Sequence, residues 1–145
     1  MITSTTTLVP DNPAAAYAAY RQAASAVFLA GTQGLKYKKD HYDLAVDLSK
    51  AGMQYIEERE DDIVIGAMTP LWQIKISPVI QEFAGGAISK AISDVADKNV
   101  QRYGTLGGVI SGKAPFSVLL PILLSLHVDV QLQDKGCMSL DDYLH

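Results

Sequence analysis

Apolar and polar positions alternate in blocks whose lengths suit short strands and helices. Thr5 to Val9 is a short β-branched run, and Asp11-Asn12-Pro13 behind it supplies a cap and a proline for a first helical turn. The Ala-rich stretch Ala14 to Ala24 is predicted to be that helix. Tyr17 and Tyr20 fall on one of its faces, placed to anchor it to a sheet. Ala26-Val27-Phe28-Leu29-Ala30 is an unbroken apolar run, the pattern of a strand buried on both faces in a parallel sheet. Gly31-Thr32-Gln33-Gly34 follows directly, and Leu44 to Leu48 reads as another strand. Residues 1–52 therefore form a β-α-β-β lobe.

The pattern changes after Gly52. Tyr55-Ile56 and Ile63-Val64-Ile65 flank the charged hexapeptide Glu57 to Asp62, which predicts an antiparallel hairpin with a solvated tip. Thr69-Pro70 is read as a cap opening a short helix through Trp72 to Ile76, and Ser77-Pro78 repeats the signal. Ile88, Ala91, Ile92 and Val95 fall at helical spacing within Gly85 to Ala96, predicting a helix packed on a sheet. Tyr103-Gly104-Thr105-Leu106-Gly107-Gly108 implies either positive φ or a close approach to another group. A helix over Phe116 to Leu126 follows, with Pro121 as a kink or a displaced start. Val128 to Leu132 and Cys137 to Leu140 form a hairpin around Asp134-Lys135-Gly136, and Ser139 caps a last turn from Leu140 to Leu144. Residues 53–145 make a second, larger lobe with a mostly antiparallel sheet and helices, so the fold class is α+β with two small lobes.

Composition narrows the function classes. With 145 residues, 48% of them hydrophobic, the chain can bury a core without cross-links. Its single cysteine, Cys137, excludes an internal disulfide and a Cys-ligated cluster built from this chain alone, and fits a reducing cytoplasm. A net charge of −4 lacks the positive field that nucleic-acid binding needs. The longest apolar run, Val118 to Leu126, is broken by Pro121 and Ser125 and is too short to span a bilayer, and the N-terminus lacks the pattern of a signal peptide. The reading is a soluble, cytoplasmic chain with no membrane and no nucleic acid as partner.

Two glycine segments are the candidates for chemistry. A strand ending in the turn at residues 31–34 and leading into a short helix presents consecutive main-chain amides and a partly positive helix end, suited to a diphosphate. It lacks the GK[ST] of a P-loop and the G-x-G-x-x-G spacing, so a plain strand-to-helix turn is the competing reading. In the second segment, Gly107 and Gly108 would let a planar ring or a phosphate approach the main chain, with the Thr105 hydroxyl free to donate. A structural glycine corner is the alternative there. Lys36, Lys38 and Lys39 either steer a diphosphate or are simply solvated. No catalytic or metal constellation is legible: His41, His127 and His145 are scattered, His127 is assigned a packing role and Cys137 a buried one, and Ser111 and Ser117 lack a nucleophile-elbow context. Redox work would fall to a bound cofactor.

In order along the chain, these segments resemble the FAD-binding subunit of molybdenum hydroxylases, the family of xanthine dehydrogenase and the carbon monoxide dehydrogenase medium chain. Phe28-Leu29-Ala30-Gly31-Thr32-Gln33-Gly34-Leu35 stands where the family has A-G-G-T-x-L, Ile65-Gly66-Ala67-Met68-Thr69 matches I-G-A-x-T, and Arg102 to Gly108 matches R-x-x-T-[IL]-G-G. Ser117 to Leu126 and Ser139 to Leu144 look like the helix and the terminal segment beyond. Thr32 replaces the family's second glycine and Gln33 its threonine, Val109 replaces a common asparagine, Ser117 replaces an aspartate, and the resemblance does not extend to the family's C-terminal domain, which the chain is expected to lack.

The resemblance implies FAD held between two lobes, with the diphosphate on Leu29, Ala30, Gly31, Thr32, Gln33, Gly34 and Leu35, and with Thr105, Gly107, Gly108, Val109 and Ser117 near the cofactor. It implies an electron-transfer subunit or domain, without turnover alone, that passes electrons between iron–sulfur clusters and an acceptor such as NAD. The partners it implies are a molybdenum-cofactor subunit and an iron–sulfur subunit, with a homo-oligomer expected in isolation. The competing readings are a flavin-free interaction module that keeps the fold and a generic nucleotide-binding domain.

Overall fold

The computed structural model describes residues 1–95, 97–113 and 117–145. Four elements build the first lobe: β1 (Thr3–Leu8), α1 (Pro13–Gln22), β2 (Ala26–Leu29) and β3 (His41–Asp47). β3 is central and runs parallel to both neighbours, with Thr6 beside Leu44 on one side and Ala26 beside Leu44 on the other. A central strand is covered along both edges, and Ala45 and Val46 accordingly lie in the core. β2 was expected to be buried on both faces, but it is an edge strand and only Val27 is buried. The parallel pairing itself follows the apolar run.

Helix α1 starts where the cap signal lies. The Asn12 side chain accepts from the Ala15 amide at 2.8 Å, and Pro13 occupies the first turn, where it has no amide to satisfy. Tyr20 anchors the helix to the sheet, its ring stacked on Phe28 with centroids 4.4 Å apart. Tyr17 goes elsewhere: its hydroxyl donates to the Asp134 carboxylate, far along the chain.

The second lobe contains β4 (Ile56–Glu58) and β5 (Ile63–Ile65), then α2 (Leu71–Ile76), α3 (Pro78–Glu82), α4 (Ala87–Ser93), α5 (Lys98–Tyr103), α6 (Leu106–Gly112) and α7 (Leu119–Ser125), then β6 (Asp129–Leu132), β7 (Gly136–Ser139) and α8 (Leu140–Leu144). Antiparallel pairing is divided between the β4–β5 and β6–β7 hairpins. The helices supply the core, with Leu71, Ile74, Ile80, Ile92, Leu119 and Leu140 almost fully buried. Each such side chain contributes about 1.5–3 kcal/mol through burial.

Several local expectations change. α4 buries Ile88, Ala91 and Ile92 as the spacing predicts, but against α2 and α7 rather than a sheet, because each hairpin is too small to cover a helix. It begins at Ala87, since Ala84, Gly85 and Gly86 all take left-handed φ values and end the preceding turn, while Ala96 lies outside the described residues. Pro121 marks a displaced start: α7 opens at Leu119 with the Ser117 hydroxyl accepting from the Leu120 amide, and Phe116 lies outside the described residues. Cys137 is exposed, not buried. In the β6–β7 register it pairs with exposed Gln131, whereas Met138 pairs with Val130, which packs on the core. His127 is also exposed, at a φ of 54° that turns the chain between α7 and β6, and has no packing role.

Candidate functional site

The two lobes meet along a cleft of about 360 Å³ lined by Ala30, Gly31, Thr32, Gln33, Ser49, Gln54, Met68, Pro70, Arg102, Tyr103 and Thr105. Each wall is delivered by a distinct local device. β2 ends at Leu29, level with Asp47 of β3, and releases Ala30 and Gly31 at the C-terminal end of the parallel sheet. The Asp47 carboxylate accepts from the Ser49 amide at 2.8 Å, which turns the chain and places Ser49 beside that loop.

The opposite wall is laced by backbone bonds. The amides of Gly66 and Met68 donate to the carbonyls of Tyr55 and Met53 at 2.9 and 2.8 Å. Thr69 was read as a helix cap, but it serves this lacing instead. Its fully buried hydroxyl accepts from the Tyr55 amide at 3.1 Å and donates to the Tyr55 carbonyl at 2.9 Å, and Pro70 takes the cap position of α2. The segment around Thr105 is then tied to 67–71: Leu71 donates to the Gly104 carbonyl at 2.9 Å, Leu106 to Thr69 at 3.1 Å and Gly107 to Ala67 at 2.8 Å. Thr105 is buried, and its hydroxyl caps α6 by accepting from the Gly108 amide at 3.2 Å. Among the described residues that hydroxyl donates to no acceptor, so its hydrogen is available to a ligand in the cleft.

The first glycine loop is shaped by Thr32, whose φ of 55° is left-handed. The turn directs the Leu35 and Lys36 amides onto the Thr32 carbonyl at 3.1 and 3.2 Å. Gln33 braces it by donating to the Gly31 carbonyl at 3.2 Å. Among the described residues, the amides of Gly31, Thr32, Gln33 and Gly34 donate to no protein acceptor, which leaves four consecutive donors in one turn. The expected helix beyond the loop is a single 3-10 turn, Leu35–Tyr37, too short to add a useful helix dipole.

The second glycine segment joins α5 to α6, and of its two backbone readings the close approach holds, since none of its glycines has positive φ. The approach is to the protein itself. A β-carbon on Gly107 would stand 2.8 Å from the Ala67 β-carbon, and one on Gly31 would overlap the Tyr103 carbonyl oxygen.

Of the residues singled out by sequence, Ala30, Gly31, Thr32, Gln33 and Thr105 are brought together on the cleft. Gly34 closes that loop without lining the cleft, Leu29 and Leu35 flank the loop, Gly107, Gly108 and Val109 form the first turn of α6 behind Thr105, and Ser117 stands at the start of α7. Ser49, Gln54, Met68, Pro70, Arg102 and Tyr103 line the cleft as well, beyond the residues the sequence singles out. Met68, Arg102 and Tyr103 stand inside motifs already recognised, whereas Ser49 and Gln54 carry no motif. Among the described residues, Arg102 is the one charged side chain on the lining. Lys36, Lys38 and Lys39 are exposed, with Lys36 bonded to Gln33 at 3.1 Å. Among the described residues no three His, Cys, Asp or Glu side chains are grouped to hold a metal ion, and no helix is long and apolar enough to cross a membrane. Four free amides, an available hydroxyl and a guanidinium form a donor set that fits a diphosphate.

Comparison with known proteins gives the family. The family described as the FAD binding domain in molybdopterin dehydrogenase matches residues 3–145. Uncharacterized protein YgfM of Escherichia coli (strain K12) is 28% identical over 121 residues, 82% of this chain and 45% of that protein. The nicotinate dehydrogenase FAD-subunit of Eubacterium barkeri is 30% identical over 96 residues, 63% of this chain and 32% of that one. In fold, the reconstituted CO dehydrogenase from Oligotropha carboxidovorans matches with a TM-score of 0.85 at 24% identity, over 100% of this chain and 52% of that chain. Quinoline 2-oxidoreductase from Pseudomonas putida 86 matches at 0.79 and 18% identity, over 96% of this chain and 49% of the other. The chain spans less than half the length of the curated relatives it matches. With the family match running through both lobes and every wall of the cleft, the chain belongs to the FAD-binding domains of the molybdopterin dehydrogenases, and its cofactor is FAD.

Proposed function

We propose that the chain holds FAD in the cleft between lobes 1–52 and 53–145 and serves as the electron-transfer domain of a molybdenum-hydroxylase-type oxidoreductase. The observation that carries this is the run of four undonated amides, Gly31 to Gly34, set beside a wall that presents Arg102 and Thr105. Leu29, paired with Asp47 of β3, and Leu35, whose amide donates to the Thr32 carbonyl, bound that turn, and Ala30 lines the cleft. Gly107 lets α6 seat against Ala67, Gly108 fixes the Thr105 hydroxyl, Val109 packs on the helical core behind Thr105, and Ser117 caps the start of α7. Bound FAD supplies the redox chemistry. The chain's own residues bind and orient it.

In this reading electrons arrive from an iron–sulfur subunit, originate at a molybdenum-cofactor subunit and leave to an acceptor such as NAD. The CO dehydrogenase and quinoline 2-oxidoreductase chains that share the fold support an oxidoreductase setting. Reconstitution with FAD tests the reading: quenching of flavin fluorescence should saturate at one FAD per chain. A titration without a saturable change overturns it.

A further inference from the structure

We infer that Arg102 is the residue by which the cleft selects a flavin carrying a diphosphate over one carrying a single phosphate or none. The inference rests on the FAD reading and adds to it a determinant of specificity. The protein carries a net charge of −4, yet among the described residues no acidic side chain lines the cleft and Arg102 is its one charged group. Among the described residues Arg102 has no carboxylate partner, and its guanidinium sits over the Tyr103 ring, 5.7 Å from the centroid. An arginine held on an aromatic face keeps its planar fork of donors for a ligand, a geometry that matches phosphate oxygens.

Position supports the same assignment. The Gly31 α-carbon packs directly on the Tyr103 carbonyl, so the loop that carries the free amides is held against the residue next to Arg102. Main-chain amides accept any anion of suitable size and distinguish poorly between one phosphate and two. An arginine on the same cleft adds a charged, bidentate contact that a second phosphate can fill. Riboflavin, with no phosphate, gains nothing from either. Salt screens such a contact, so the preference for FAD should fall as ionic strength rises.

The full chain and its Arg102→Gln and Arg102→Lys variants are titrated with FAD, FMN, riboflavin and inorganic pyrophosphate. Arg102 is exposed, so thermal melts of the variants should match the parent. Arg102→Gln should weaken FAD by about 10- to 100-fold, the usual range for a lost charged hydrogen bond. It should leave riboflavin unchanged and flatten the salt dependence, with Arg102→Lys recovering part of the loss. Equal FAD affinity in parent and Arg102→Gln overturns the inference and leaves the FAD reading standing. If the parent binds no flavin, the FAD reading fails, and pyrophosphate decides Arg102: binding that Arg102→Gln abolishes keeps its diphosphate role, and binding to neither overturns it.

Discussion

The α-carbon of Gly31 packs so closely against the Tyr103 carbonyl that a β-carbon at position 31 would overlap that oxygen and lie 3.0 Å from the Gly104 α-carbon. The contact joins the free-amide loop of the parallel sheet to the segment that carries Arg102 and Thr105. Glycine is required at position 31 for fit, since its φ is not left-handed. A ligand touching both walls therefore meets a junction already set by backbone packing.

Gly31→Ala should force the two walls apart and cost about 1–3 kcal/mol, the usual range for overpacking. It should also weaken FAD binding. Gly34, three residues on, has no atom within 4 Å of its missing β-carbon and a φ of −76°, so Gly34→Ala should be neutral or stabilise by about 0.4–1 kcal/mol. Urea denaturation of both variants checks the pair. Gly107→Val should behave like the Gly31 variant, since its β-carbon would press on Ala67.

Thr69 holds the second wall through one hydroxyl. Thr69→Val keeps the volume and removes both bonds to Tyr55 in a buried setting, which should cost about 1–3 kcal/mol. Thr69→Ser should retain most of the parent's stability in the same urea series. Equal midpoints for parent and valine variant would show that the Thr69 hydroxyl does not hold the second wall.

Tyr17 links the lobes at a second point, and its bond to the Asp134 carboxylate, followed by desolvation and that carboxylate's charge, raises the phenol above its ordinary value of 10.0. The folded state thus favours the neutral phenol. The contribution is complete below pH 10 and is lost as pH rises through the raised value. Tyr17→Phe should flatten the decline in Tm above pH 10, leaving a residual slope from Tyr42, which burial and then Asp40 also raise. Identical alkaline profiles for parent and variant would contradict the link.

Local signals transmitted the N-terminal lobe well. Asn12-Pro13 capped a helix, the run from Ala26 gave a parallel strand, and Thr105, Gly31 and Gln33 met on one cleft. The failures share a cause. Whether β2 lies at an edge, whether α4 meets a sheet or helices, and whether Cys137 faces out depend on which elements become neighbours, and periodicity within one segment carries no record of that. Thr69 has the look of a cap because Thr-Pro is a cap signal, but its hydroxyl is claimed by Tyr55 across a loop. Ser49 and Gln54 reach the cleft only because the chain turns after Asp47 and is laced at Tyr55, contacts no short motif encodes.

The claim that FAD is seated with its diphosphate on the Gly31–Gly34 turn is tested most directly by amide NMR of the ¹⁵N-labelled chain during FAD titration. Saturable shifts are expected at Gly31, Thr32, Gln33 and Gly34 together with Thr105, and none at the remote β6–β7 hairpin turn around Lys135. Saturable FAD binding that leaves the 31–34 amides unmoved and shifts residues away from the cleft would contradict it.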